Sequence, residues 1–267
     1  MAPSLNPLQA FLITISLALL SILIIYPLIL LIIVGGPMVP SALSTASFVK
    51  AIEATVVIST LSALIAMVMG TPLAYVLARY EFRLKQVVDS IVDIPIMIPH
   101  VIVGIMVVLA FAYRYGLGPF LKAHGIEFVN TLWGATAAVA FLSSTYYIRV
   151  VEAAIRMINP EMELVARTLG ASWGRMFTTL ILPKIKRAIA NGALLSWARS
   201  VSEAGALFIV AYYVYFAGSY VYPASVYIYE SYVGVGLINA VKYSAALVLV
   251  VLAIFIAYRV AVGGGRG

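Results

Sequence analysis

Six stretches of twenty or more mainly apolar residues punctuate this chain of 267 residues: Leu8–Val34, Ile52–Ala78, Ile91–Tyr113, Thr131–Val151, Ala188–Tyr212 and Leu237–Tyr258. Crossing the hydrocarbon of a bilayer as a helix takes about 20 apolar residues. Each stretch is too long for the strands of a membrane barrel, so the pattern predicts an all-α membrane protein with six transmembrane helices. Charged residues make up only 10% of the chain, against about 25% in soluble domains, which is too few to clothe a water-facing surface. There is no cysteine, which removes disulfides, thiolate metal sites and cysteine nucleophiles. The first stretch is read as a retained helix. No Lys or Arg precedes Lys50, and the apolar run far exceeds a signal-peptide core.

The basic residues set an orientation. Arg79, Arg83 and Lys85 fill the second connection; Arg149, Arg156, Arg167, Arg175, Lys184, Lys186 and Arg187 lie in or beside the fourth; Arg259 and Arg266 fall in the tail. The opposite connections hold only Lys50, Arg114 and Lys122. Cytoplasmic loops concentrate Lys and Arg, so the chain is expected to be multi-pass in the cell membrane with both termini cytoplasmic. The net charge of +7 is thus a topology signal, and nucleic acid is not expected as a partner.

The fourth connection, roughly from Glu152 to Arg187, is long for a link between helices. Asn159 and Pro160 suit a helix start, and Glu161 and Glu163 complement the positive end of its dipole. Met162, Val165, Ala166, Leu169 and Trp173 recur at helical spacing as one apolar stripe. Gly170 predicts a break into two arms, and Pro183 is expected to close the unit. On these residues alone, a helix lying on lipid and a helix facing another protein both remain open.

The segment Ala166-Arg167-Thr168-Leu169-Gly170-Ala171-Ser172, followed by Leu182-Pro183, resembles the "EAA" loop in permease subunits of binding-protein-dependent ABC importers. That pattern reads Glu-Ala-Ala, three residues, Gly, nine residues, Ile-x-Leu-Pro. Ala166, Gly170, Leu182 and Pro183 fall in register, whereas Leu164, Val165 and Leu180 stand where the family has Glu, Ala and Ile; Glu163 lies one position early. Gly70-Thr71-Pro72 resembles the end of the second helix in type I importers, and Pro95 and Pro99 with Gly104, the run Ala198–Ala206, and Val226–Glu230 with Gly236 resemble the molybdate, tungstate and sulfate branch. The resemblance implies one transmembrane domain over 1–267, with a permease core at 52–258 and a coupling loop at 159–183. In that loop Glu163, Ala166, Arg167, Leu169, Gly170, Ala171 and Ser172 would engage an ATPase. It further implies a homodimer, two ATP-binding subunits on the cytoplasmic side and an extracellular or periplasmic substrate-binding protein. Tungstate or molybdate is the favoured cargo; a sulfate or thiosulfate permease and an ion-gradient-driven secondary transporter are the alternatives. No cofactor is implied, and the chain itself is not read as an enzyme.

A buried charge is costly in hydrocarbon. Arg199, about 11 residues into the fifth stretch, must therefore face the bundle or water, with Glu203 one turn on. A closed ion pair, an anion passage lined by Arg199, Ser202 and Glu203, and lipid snorkelling all remain open. Pro95 and Pro99 can bend the third helix into a gate or a static kink. Asp89 and Asp93 are placed at the cytoplasmic boundary. The tyrosines between Tyr212 and Tyr232 suit an interfacial belt or a docking face. His100 and His124 have no neighbouring ligands in sequence and predict no metal site. The tail Gly263–Gly267 lacks the Gly-Lys-Ser/Thr and helix of a phosphate loop.

Overall fold

The computed structural model describes residues 6–112 and 114–263. Tyr113, where the third apolar stretch was expected to end, and the tail from Gly264 to Gly267, with Arg266, lie outside the described residues. In chain order the helices are α1 (Pro7–Leu43), α2 (Ala46–Arg79), α3 (Lys85–Met97), α4 (His100–Phe111), α5 (Gly118–Ala123), α6 (Leu132–Arg156), α7 (Glu161–Thr168), α8 (Trp173–Met176), α9 (Leu182–Val201) and α10 (Leu207–Val210). A two-stranded hairpin, β1 (Val214–Phe216) and β2 (Ser219–Val221), then leads to α11 (Ala224–Val235) and α12 (Leu237–Gly263).

Among the described residues, α1, α2, α6 and α12 are long and apolar enough to cross a membrane, and α3 with α4 makes a fifth span if the bent pair is one crossing. The fifth expected stretch, 188–212, is redrawn. Its helix α9 begins at Leu182 and stops at Val201, and residues 202–206 form turns before the short α10 and the hairpin. Arg199 therefore lies near the end of α9, not at its middle. The helix starts early because Pro183 does not close the preceding unit. It occupies the first turn of α9, where a missing N–H costs nothing, and the π-turn Phe177–Ile181 carries the helix from α8 into it. The same device recurs in α1, where the π-turn Ser21–Ile25 precedes Tyr26-Pro27.

The third stretch breaks at Ile98-Pro99. The residue before a proline is pushed out of the helical region, and Ile98 is extended (φ −92°, ψ 144°), so α3 and α4 meet at 115°. Pro95, by contrast, sits inside α3.

The core lies where α2, α6 and α9 pack together. Lipid tails are as apolar as leucine, so helices in a bilayer gain most by approaching closely through small residues. Ala51, Ala54, Ser59, Ser62 and Ala66 of α2 and Ala135, Ala138 and Ser143 of α6 are buried accordingly. Tyr147 of α6 is fully buried between two glycines. A Cβ on Gly70 of α2 would lie 2.8 Å from its Cδ1, and one on Gly192 of α9 would lie 3.1 Å from its Cδ2. Its hydroxyl is 2.6 Å from Thr71 Oγ1. The first helix touches the rest at Gly35, where a Cβ would stand 2.5 Å from Ala245 Cβ of α12.

Two ends are distinct. At one, Asn130 N–H donates to Val210 O (2.8 Å), Ala224 N–H to Thr55 Oγ1 (2.7 Å) and Lys50 Nζ to Ser219 Oγ (3.0 Å), which gathers the hairpin over the starts of α2 and α6. At the other, Arg79 donates to Ile158 O (2.8 Å) and Arg156 to Leu77 O (3.1 Å), which ties the ends of α2 and α6 to the fourth connection. Gly70→Ala should overpack the Tyr147 ring and lower stability by about 1–3 kcal/mol, read as a lower unfolding temperature in detergent. Gly174→Ala, where a Cβ meets nothing within 4 Å, should not.

Candidate functional site

At the basic end, the loop folds as two arms around Gly170. Asn159 Oδ1 accepts from Glu161 N–H (2.9 Å) at the start of α7. Gly170 adopts φ +83°, a left-handed value that favours glycine, and a Cβ there would meet nothing; backbone conformation, not space, requires the residue. Ser172 then caps α8, accepting from Arg175 N–H (3.4 Å). The segment is fastened by Glu163. Its side chain is buried, with Arg79 Nε at 2.5 Å and the Tyr75 hydroxyl donating at 2.7 Å. Tyr75 is in turn boxed edge-on by Trp173 and Phe177, whose rings stack on each other.

The expected stripe divides in two. Ala166 packs on the core with Trp173 over Tyr75, while Leu164 (64%), Val165 and Leu169 (82%) stand exposed. Arg167, Gly170 and Ser172 are exposed beside them, with Ala171 half-buried. An apolar patch of this kind at the basic end is a surface for another protein or for lipid.

The second site lies at the break between α3 and α4. Glu203 is fully buried, and its Oε1 accepts from Ala206 N–H (2.9 Å), closing the turn after α9. Its Oε2 lies 3.1 Å from both Arg199 Nη2 and His100 Nδ1. Arg199 Nη2 also approaches His100 Nε2 at 2.8 Å, and its Nη1 reaches Ser202 Oγ at 3.3 Å. Glycines permit the contact: a Cβ on Gly205 would lie 2.8 Å from His100 Cβ, and one on Gly104 would lie 2.6 Å from Ala206 O. Arg199 and Glu203 thus meet as their spacing suggests, with Ser202 and Pro99 beside them. Pro95 is buried within α3 and not part of the cluster.

Asp89 and Asp93, both partly exposed, are paired with Arg149. Arg149 Nη1 donates to Asp89 Oδ1 (2.9 Å) and Glu152 Oε2 (2.7 Å), Arg149 Nη2 donates to Asp93 Oδ2 (2.7 Å), and Arg156 joins through Glu152 Oε1 (2.6 Å). The i, i+4 spacing of the two aspartates signals one shared face; only the fold supplies Arg149. At the opposite end, Tyr215 pairs across the hairpin with Tyr220, and both are exposed with Tyr213. The Tyr212 hydroxyl donates to Glu230, whose carboxylate pushes it up to about 12.

Residues 70–262 match the family described as "binding-protein-dependent transport system inner membrane component". The chain belongs to this family. A molybdate/tungstate transport system permease protein of Pyrococcus furiosus is 36% identical over 82% of this chain and 80% of its own length. That of Thermococcus kodakarensis is 39% identical, but over only 62% of either chain. The sulfate transport system permease protein of Salmonella typhimurium is 32% identical over 54% of this chain and 52% of its own. In fold, the chain is similar to a crystal structure of a bacterial ABC transporter involved in alginate import, with a TM-score of 0.74, 21% identity and coverage of 97% of this chain and 96% of that one.

For this ABC importer permease, sequence reasoning identified the two-armed loop and the Arg199–Glu203 pair but missed His100. In sequence His100 has no partner, and its one signal is that it follows the helix-breaking Pro99. The role of Glu163 also needs restating: it faces inward, so it anchors the loop and does not present itself on the exposed surface. Glu163→Ala strands Arg79 in a buried site and should cost about 3–5 kcal/mol. Amide exchange over 161–168 should accelerate, while that of α12 stays unchanged.

Proposed function

We propose that this chain forms the membrane pathway for a tetrahedral oxyanion, tungstate or molybdate, and is driven by a separate ATP-hydrolysing subunit. The observation that carries the reading is the cluster of Arg199 with Glu203 and His100 at a broken helix, in a chain whose P. furiosus relative is a molybdate/tungstate permease. Sulfate is the second reading, favoured by the relatives named sulfate permeases.

In the assembly, two copies of the permease enclose the pathway and two ATPase subunits dock on the exposed faces of Leu164, Val165 and Leu169. Arg167, Gly170, Ala171 and Ser172 complete that contact, with Ala166 packed behind it. Both termini and the 159–183 loop lie in the cytoplasm, as the distribution of Lys and Arg supports. A substrate-loaded binding protein meets the hairpin end, where exposed tyrosines offer the aromatic contacts interfaces favour. A related structure holds a permease with its periplasmic protein.

ATP binding draws the ATPases together. The loop, anchored by Glu163 on Arg79 and Tyr75, transmits that motion to the ends of α2 and α6. The helices then alternate between two access states. Pro99, Arg199, Ser202 and Glu203 stand along the passage, and the bend at Pro99 is the element that gates it, with Pro95 supporting the turn from inside α3.

Two measurements test this. Vesicles holding the reconstituted complex should take up labelled tungstate or molybdate in preference to sulfate when ATP is enclosed with the ATPase; preference for sulfate would replace the cargo. Leu169→Asp places a charge in the docking patch and should reduce co-purification of the ATPase by at least about tenfold, with the permease still folded. Undiminished co-purification would remove this patch from the ATPase contact.

A further inference from the structure

We infer that His100, with Arg199 and Ser202, forms an oxyanion-binding subsite at the α3–α4 break, held in place by Glu203 as a buried counter-ion. The inference rests on the transport reading above and adds to it the residue that orients the arginine. A guanidinium has no acceptor, so Arg199 donates to the imidazole nitrogen it faces, Nε2 at 2.8 Å. The other nitrogen, Nδ1, lies 3.1 Å from both Arg199 Nη2 and Glu203 Oε2, the latter a close approach without hydrogen-bond geometry. The imidazole therefore packs against both the guanidinium and the carboxylate and limits how far Arg199 can move toward Glu203.

Exposure shows which side is open. Glu203 is 1% exposed and backs the cluster, whereas the His100 side chain is 41% exposed, Arg199 18%, and Ser202 is exposed. A carboxylate behind, with a guanidinium, a hydroxyl and an imidazole at the accessible edge, is the polarity an anion needs. The start of α4 adds to it: no side chain caps this 12-residue helix, so the positive end of its dipole lies at the cluster. An oxyanion there gains charge-assisted hydrogen bonds from Arg199, and a neutral one from Ser202 once its hydroxyl turns away from Arg199 O, to which it donates at 2.9 Å. Losing His100 leaves Arg199 free to collapse onto Glu203 as a closed pair.

The test uses the permease with its ATPase and binding protein in vesicles, scoring both labelled tungstate uptake and binding-protein-stimulated ATP hydrolysis. His100→Leu should lower uptake per ATP hydrolysed at least about tenfold, the scale of one charge-assisted hydrogen bond. Hydrolysis should stay within about twofold, and His100→Gln, which can both donate and accept, should restore much of the uptake. If the leucine variant fails to assemble, His100→Ala carries the same comparison. Uptake per ATP equal to wild type, or parallel loss of uptake and hydrolysis in both variants, overturns the subsite. If the wild-type complex moves none of tungstate, molybdate or sulfate, the transport reading fails and the subsite fails with it. If wild type transports and His100→Leu matches it, only the subsite fails.

Discussion

The wedge of Tyr147 between Gly70 and Gly192 is the contact on which the rest of the structure depends. In a bilayer no water drives helices together, so three helices converge only where their surfaces fit and their polar atoms find partners. The tyrosine ring meets both conditions, filling the space left by two absent side chains and closing its hydroxyl on Thr71. Because α2, α6 and α9 are fixed to one another at this level, their ends are fixed as well. Arg79 then reaches the fourth connection, Arg156 reaches back to Leu77 of α2, and Arg199 reaches the α3–α4 break.

The same chemistry is used at both levels. A buried carboxylate is held near an arginine and accepts from a further donor, the Tyr75 hydroxyl for Glu163 and the Ala206 N–H for Glu203, and each closes an irregular stretch of chain. Irregular backbone and charge are tolerated in such a bundle only where protein or a water-filled cavity surrounds them. Each carboxylate also joins segments distant in sequence. Glu163 joins the fourth connection to the end of α2, and Glu203 joins the end of α9 to the start of α4. The loop is thus fastened to α2, and α2 meets α9, which carries Arg199, across the Tyr147 ring.

The two prolines that look alike in sequence act in opposite ways. Pro99 breaks its helix because Ile98 before it must be extended, whereas Pro183 is absorbed by a π-turn and a first-turn position. Sequence pattern can mark a proline; whether the chain bends or continues depends on what surrounds it. The exposed stripe was legible as apolar and helical. Yet Ala166 turns onto the core and the half-exposed Trp173 sets its ring against Tyr75, while Leu164 and Leu169 turn away, a division set by the Glu163–Arg79 pair and not by spacing.

By itself the sequence determined that this is a helical membrane protein with a long basic connection, two arms about Gly170, and a charged pair at Arg199 and Glu203. Those features follow from local rules: apolar length, charge placement, glycine freedom and i, i+4 spacing. Only the tertiary structure decided that α9 stops at Val201, that Arg149 gathers Asp89, Asp93 and Glu152, and that His100 completes the Arg199 cluster. Each of these joins residues tens of positions apart or more, or depends on a turn stabilised by such a partner. The physical reason is that a hydrogen bond to a buried charge is chosen by proximity in space, which periodicity along one helix does not encode.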